Sequence, residues 1–163
     1  MSQQQIRVRG AKAEDHAVVT SLVLDLLTEL YDPEEWGYSR DTLEPAVRRL
    51  LSEGTSWWAF LAYADEGKPA GVITLNQCAA IYAFGRFGEI SELYVVPAYR
   101  SAGVGATLIE AAVRFGREQG WSLLEVGAPE VPKWRRTVEF YERCGFSVVG
   151  PRLTMLLPRS STA

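Results

Sequence analysis

Residues 88–106 read Gly-Glu-Ile-Ser-Glu-Leu-Tyr-Val-Val-Pro-Ala-Tyr-Arg-Ser-Ala-Gly-Val-Gly-Ala, and this stretch constrains the fold more than any other. Its first half, residues 89–96, carries β-branched and aromatic side chains and reads as a strand. Pro97 has no backbone N–H to give a ladder and ends it. A short loop with Gly103 and Gly105 follows, and behind it Leu108, Ala111, Ala112 and Phe115 recur at helical spacing. Strand, tight loop and helix start in succession make an anion site. The first amides of a helix lack internal partners, its dipole favours negative charge there, and glycine lets a phosphate come close. The expectation is a pyrophosphate cradle of backbone N–H groups from Ala102, Gly103, Val104, Gly105 and Ala106, with Arg100 closing over it.

The rest of the chain supplies a sheet and its helices. Strands are expected at residues 6–9, 57–64, 70–76, 122–126, 146–149 and 153–157 besides the central one. Residues 77–87 either extend a strand or form a loop beside the site. Val18, Leu22, Leu26 and Leu30 mark one amphipathic helix, broken by Pro33 and Gly37; a second follows over 41–52. The helix after the glycine loop ends at Gly120, and another covers 133–143, stopped by Gly145. The total is about seven strands and about four helices, some strands paired as hairpins and others joined through helices, which makes a mixed α/β sheet.

Composition excludes several classes. The chain has 163 residues with 47% apolar and 23% charged side chains, enough to bury one core, so 1–163 reads as a single domain with loose tails at 1–5 and 158–163. A net charge of −3 argues against nucleic-acid binding. Cys78 and Cys144 form no CxxC, so no metal site is expected and a reducing, cytoplasmic compartment fits. No apolar run follows Met1, and no segment is apolar and long enough to span a bilayer, so neither a signal peptide nor a membrane is expected.

Three ligands compete for the glycine loop. A P-loop fails, because no Lys-Ser or Lys-Thr follows a glycine. A dinucleotide fingerprint has Leu108 where its third glycine belongs, although Glu125 lies about where its acidic residue would. The third pattern, Arg/Gln-x-x-Gly-x-Gly/Ala after a strand, is met by Arg100, Gly103 and Gly105. It is joined downstream by Phe140-Tyr141-Glu142-Arg143-Cys144-Gly145-Phe146 at a helix end. With both pieces the chain resembles the GNAT superfamily of N-acetyltransferases, over roughly residues 89–157. Trp134 and Thr137 stand where that family usually has an Asn and an Ala, and Ser101 replaces a frequent Gly.

The resemblance implies a mostly antiparallel sheet and direct transfer of an acetyl group from acetyl-CoA to a primary amine, with no metal and no covalent enzyme intermediate. A lysine-like amine is neutral in only about one molecule in a thousand at pH 7, so a base is useful. Glu89 opens the strand, at the place of the glutamate base in histone-type members, and is the first choice, acting through water; Glu92 is the reserve. Strict alternation puts Glu89, Ser91, Leu93 and Val95 on one face and Ile90, Glu92 and Tyr94 on the other, unless a bulge intervenes. The family places the oxyanion donor on the backbone near Val95 and Val96, and its general acid at Tyr141. Trp134 and Arg143 belong to the helix expected beside coenzyme A. Its cluster Lys133, Arg135, Arg136 and Arg143 reads either as a solvated face or as a contact to the coenzyme's 3′-phosphate. Asp32, Glu34, Glu35, Asp41 and Glu44, with Arg40 among them, favour a cationic acceptor. A catalytically silent acyl-CoA sensor is the alternative, and the oligomeric state, homodimer included, is left open.

Overall fold

The structure is a computed structural model that describes residues 5–158; the loose tails expected at 1–5 and 158–163 fall almost wholly outside them. It divides into two compact units, one ending at Val126 and the other beginning at Gly127. The first unit holds β1 (Arg7–Gly10), α1 (His16–Leu30), a one-turn α2 (Pro33–Trp36), α3 (Arg40–Glu53), β2 (Trp57–Tyr63) and β3 (Pro69–Ala80). It continues with β4 (Gly85–Val95), α4 (Val104–Gln119) and β5 (Leu124–Val126). The strands lie in the order β1-β2-β3-β4-β5, all antiparallel except β4 with β5. That parallel pair is joined through α4, since parallel neighbours need a crossover. Residues 77–87, ambiguous in the sequence, complete a long β3–β4 hairpin.

Each face of the sheet is covered for a reason visible in the register. Ala59, Leu61, Val72 and Tyr94 share the face on which Val19, Leu22 and Val23 of α1 and Val47 of α3 pack. Trp58 and Phe60 point the other way and meet Phe115 of α4 at ring-centroid distances of 4.9 and 5.3 Å. Buried side chains such as Leu61 and Leu108 stabilise by roughly 1.5–3 kcal/mol each. Gly71 fixes how closely α4 lies on β3: a Cβ there would sit 2.7 Å from the Tyr94 carbonyl and 3.3 Å from Val104. The start of α4 is thereby held over the end of β4.

The second unit contains α5 (Arg135–Arg143). Tyr141 on it packs against the rings of Phe140 and Phe146, at 5.4 and 5.5 Å. Gly145, at φ +98°, ends the helix, and Phe146 N–H returns to Tyr141 O at 3.0 Å.

Two expectations are corrected. The sheet has five strands among the described residues, not seven, because 146–149 and 153–157 form no ladder. Their apolar content satisfies a strand pattern, but a strand exists only when a neighbour takes its backbone groups, and a lone hairpin is marginal in water. Val149 and Leu153 accordingly stand 90% and 93% exposed. The described α-helices number five rather than four, since Pro33 starts a single turn of its own between α1 and α3.

Candidate active site

The site begins with an irregularity in β4. Thr74 pairs with Glu92 and Leu75 with Ile90, so Ser91 is an extra residue opposite β3. Such a bulge resets the alternation beyond it. Glu89 pairs with Asn76 and Glu92 with Thr74, and residues two apart in β3 share a face. Both glutamates therefore lie with Tyr94 on the face that α1 and α3 cover, while Ile90, Leu93 and Val95 lie on the α4 face. The sequence separated the two glutamates unless a bulge intervened, and Ser91 is that bulge.

Glu92 is partly buried on this face. Burial pushes its carboxyl above the usual carboxylate range and the charge of Glu89 adds to this, against the opposing effect of the Thr74 hydroxyl. Thr74 Oγ1 donates to Glu92 Oε2 and accepts Glu92 N–H at 3.0 Å. Tyr38, just before α3, has its phenol raised by burial, then by the charges of Tyr31 and Glu92, so its ring lies within electrostatic reach of that carboxylate. Glu125 of β5 pairs beside Glu89 and accepts a hydrogen bond from Tyr82 Oη at 2.9 Å.

β5 accompanies β4 only along Gly88–Ile90. From Ser91 to Val95 that edge of β4 meets no strand among the described residues. Val96 N–H reaches Ala70 O on the β3 side at 2.9 Å, so the preceding amide, that of Val95, is directed to the open edge. A donor at an opened strand can stabilise a developing oxyanion.

The turn to α4 is tightly built. Pro97–Tyr99 forms a 3₁₀ turn, and Ser101 and Gly103 take left-handed conformations at φ +66° and +82°. Ala102 N–H donates to Tyr99 O at 3.3 Å, so it belongs to the turn. The first bond of α4 is Thr107 N–H to Gly103 O, 3.0 Å, which leaves the amides of Val104, Gly105 and Ala106 before any intrahelical bond. These three amides, with Gly103 before them, are the part of the expected cradle that the fold leaves outside the turn and the helix ladder. Arg100 does not stand unengaged above it. Its Nη2 contacts both oxygens of Glu29 at 2.7 and 3.0 Å, and its Nε donates to Val95 O at 3.0 Å. Its guanidinium also lies 5.5 Å from the centre of the Tyr94 ring.

In the second unit, Trp134 is the N-cap residue of α5, with Lys133 Nζ 5.1 Å from its ring centre, and Arg143 lies in the last turn. Burial, with Cys144 as a smaller cause, pushes the Tyr141 phenol up to about 12.

Thr74, Tyr38 and Glu29 were not found from sequence. Thr74 left a trace as the lone polar side chain in the apolar run 70–75, whereas Glu29 meets Arg100 across a separation that no local pattern encodes.

Comparison with known proteins gives a consistent set of relatives. An aminoalkylphosphonate N-acetyltransferase of Salmonella typhimurium is 28% identical over 152 residues, covering 92% of this chain and 90% of its own length. A ribosomal-protein-alanine N-acetyltransferase from Brucella melitensis biovar Abortus 2308 superimposes with a TM-score of 0.72 at 19% identity, over 94% of this chain and all (100%) of that one. An aminoglycoside acetyltransferase from an uncultured soil metagenomic sample, solved with sisomicin, gives 0.75 at 18% identity over 95% and 97% of the two chains. These likenesses show the fold. The sequence profile of the acetyltransferase (GNAT) family matches residues 23–146, and the chain belongs to that family.

Proposed function

We propose that the chain transfers the acetyl group of acetyl-CoA directly to a primary amine. The observation that carries this reading is the bulge at Ser91, which sets Glu89 and Glu92 on one face beside the edge that β5 leaves open. The diphosphate of acetyl-CoA lies on the amides of Gly103–Ala106, which directs the thioester toward Val95 N–H. The neutral amine attacks the thioester carbonyl carbon, forming the N–C bond, and Val95 N–H takes the charge on oxygen. The amine's proton passes through water to Glu92, whose raised basicity suits it better than an ordinary carboxylate. Glu89, the first choice from sequence, acts on this proton by raising its neighbour. The C–S bond then breaks and the sulfur is reprotonated.

Tyr141 stands at the family's acid position. At about 12 it keeps its proton throughout the neutral range. A thiol is a stronger acid than so raised a phenol, so full transfer from the phenol is uphill. A phenol so raised does not give up its proton in the neutral range, and solvent reprotonates the thiolate.

The acceptor is a cationic amine. The Salmonella relative is named for aminoalkylphosphonates, amines that carry an anionic phosphonate besides the amino group. Here the strand face carries Glu89, Glu92 and Glu125, and Arg100 is already held by Glu29. The test pairs a thermal shift with a turnover assay on amines of each charge. Stabilisation by acetyl-CoA and not by NAD, with acetylation of cationic amines, is the expected result. Binding without turnover of any amine would point to a sensor, and preference for an aminoalkylphosphonate would overturn the acceptor class.

A further inference from the structure

The link between α1 and α3 carries three aromatic side chains that the core does not use. Tyr31 lies 5.7 Å from Trp36 and 6.1 Å from Tyr38 between ring centres, tilted to each. Trp36 and Tyr38 are parallel to within 9°, at 6.3 Å. Rings that served only to close the link would be covered, yet Tyr31 and Trp36 remain 46% and 44% exposed. The position of this corner is fixed: Glu29, in the last turn of α1, is tied to Arg100 and to Tyr94 Oη at the end of β4. The corner therefore starts beside the opened strand and ends at Tyr38, which lies within electrostatic reach of Glu92.

Its charge has one sign. Asp32, Glu34 and Glu35 lie exposed along the link, and Asp41 follows in α3. Arg40, the one cation between residues 25 and 44, is engaged by α1 and α3: it donates to Ser21 Oγ and sits 3.7 Å from Glu44. Aromatic faces attract cations through their quadrupole, most strongly where water is partly excluded. An exposed ring corner among carboxylates recognises an ammonium or guanidinium rather than a neutral or anionic body.

We infer that Tyr31, Trp36 and Tyr38 seat a second cationic centre of the acceptor, so that the substrate class is a di- or polyamine. The reacting nitrogen lies at Glu92 and the distal one against the rings. This rests on the acetyl-transfer reading above, and the experiment separates the two. Acetylation of 1,4-diaminobutane, 1-aminobutane and 4-aminobutanoate is compared at equal acetyl-CoA; the three differ only in the charge at the far end. The expected kcat/KM ratio of diamine to monoamine is about tenfold, with the amino acid slowest, and Trp36→Ala brings the ratio toward one. Calorimetric titration of 1,4-diaminobutane into wild type and Trp36→Ala is run alongside. Equal rates for diamine and monoamine, or a preference that survives both Trp36→Ala and Tyr31→Ala, would overturn the seat while acetyl transfer stands. No turnover, with diamine binding that Trp36→Ala weakens about tenfold, would keep the seat and overturn the transfer. Neither turnover nor diamine binding would overturn both.

Discussion

Glu92 holds its proton to higher pH than an ordinary carboxylate because it is buried beside Glu89, and it must lose that proton before it can accept another. The rate kcat/KM should therefore rise with pH through the raised value. Glu92→Gln should remove this acid limb. Glu89→Gln removes a like charge, lets Glu92 ionise more easily and should move the limb to lower pH; a pH–rate profile of each variant reads this directly. A limb that stays in place in both variants would mean that solvent takes the proton. Asp15 shows the opposite shift. Its carboxylate accepts Arg9 at 2.8 and 2.9 Å and Lys12 N–H at 2.7 Å, and the Arg9 bond first of all holds it down to about 2. A depressed carboxylate stabilises above its unfolded value, near 3.9, and that contribution is lost as pH falls toward the folded one. Asp15→Asn should lower stability by about 1–2 kcal/mol at pH 7, and the difference should vanish near pH 2, as urea titrations at several pH values would show. Both glutamates were candidates through the resemblance to the acetyltransferase family, which has acids at these two places in the strand. Their common face was not, because one inserted residue, Ser91, decides it and leaves no compositional mark.

Among the elements, α4 carries the most consequence, since its first amides are the proposed cradle and Gly71 sets its height above the sheet. Gly71→Ala would drive a Cβ against the Tyr94 carbonyl, which as backbone cannot swing aside. It should lower stability by about 1–3 kcal/mol in urea unfolding, with weaker acetyl-CoA binding as α4 lifts. Gly103→Ala separates conformation from ligand. No atom lies within 4 Å of the added Cβ, so the substitution meets only the strain of φ +82° in the unliganded protein. Roughly 1–2 kcal/mol of stability is the expected loss. A loss of acetyl-CoA affinity in calorimetry well beyond that strain would show the phosphate reaching the backbone there; unchanged affinity would remove Gly103 from the cradle. The strand–loop–helix order was readable because proline, glycine and helical periodicity are local signals. The final two strands misled for the same reason: 153–157 looks like a strand locally, and pairing is not a local property.

At the scale of the molecule, the proposed chemistry lies along the part of β4 that β5 leaves unpaired, and the sequence showed the class of fold without showing where that sheet would stop. The expected count of strands came from summing segments, whereas β5 is the last strand in the described sheet. The ion pair between Glu29 and Arg100 has a further effect on how the molecule meets its anionic substrate. The net charge is −3, and Arg100, the guanidinium expected to close over the proposed cradle, is already paired with Glu29. In the proposed cradle, what draws the diphosphate is then a fan of oriented peptide dipoles acting over a few ångströms. Such short-range attraction lies well inside the Debye length, about 10 Å at 0.1 M salt, so mobile ions interrupt it little. Salt also loosens the half-exposed pair, releasing Arg100 toward the ligand while screening its pull, and the two responses oppose each other. The dissociation constant of acetyl-CoA should change by less than about threefold between roughly 0.05 and 0.5 M salt, and Glu29→Gln should make that dependence steeper. Ionic strength would then tune the encounter with a cationic amine far more than the grip on the donor.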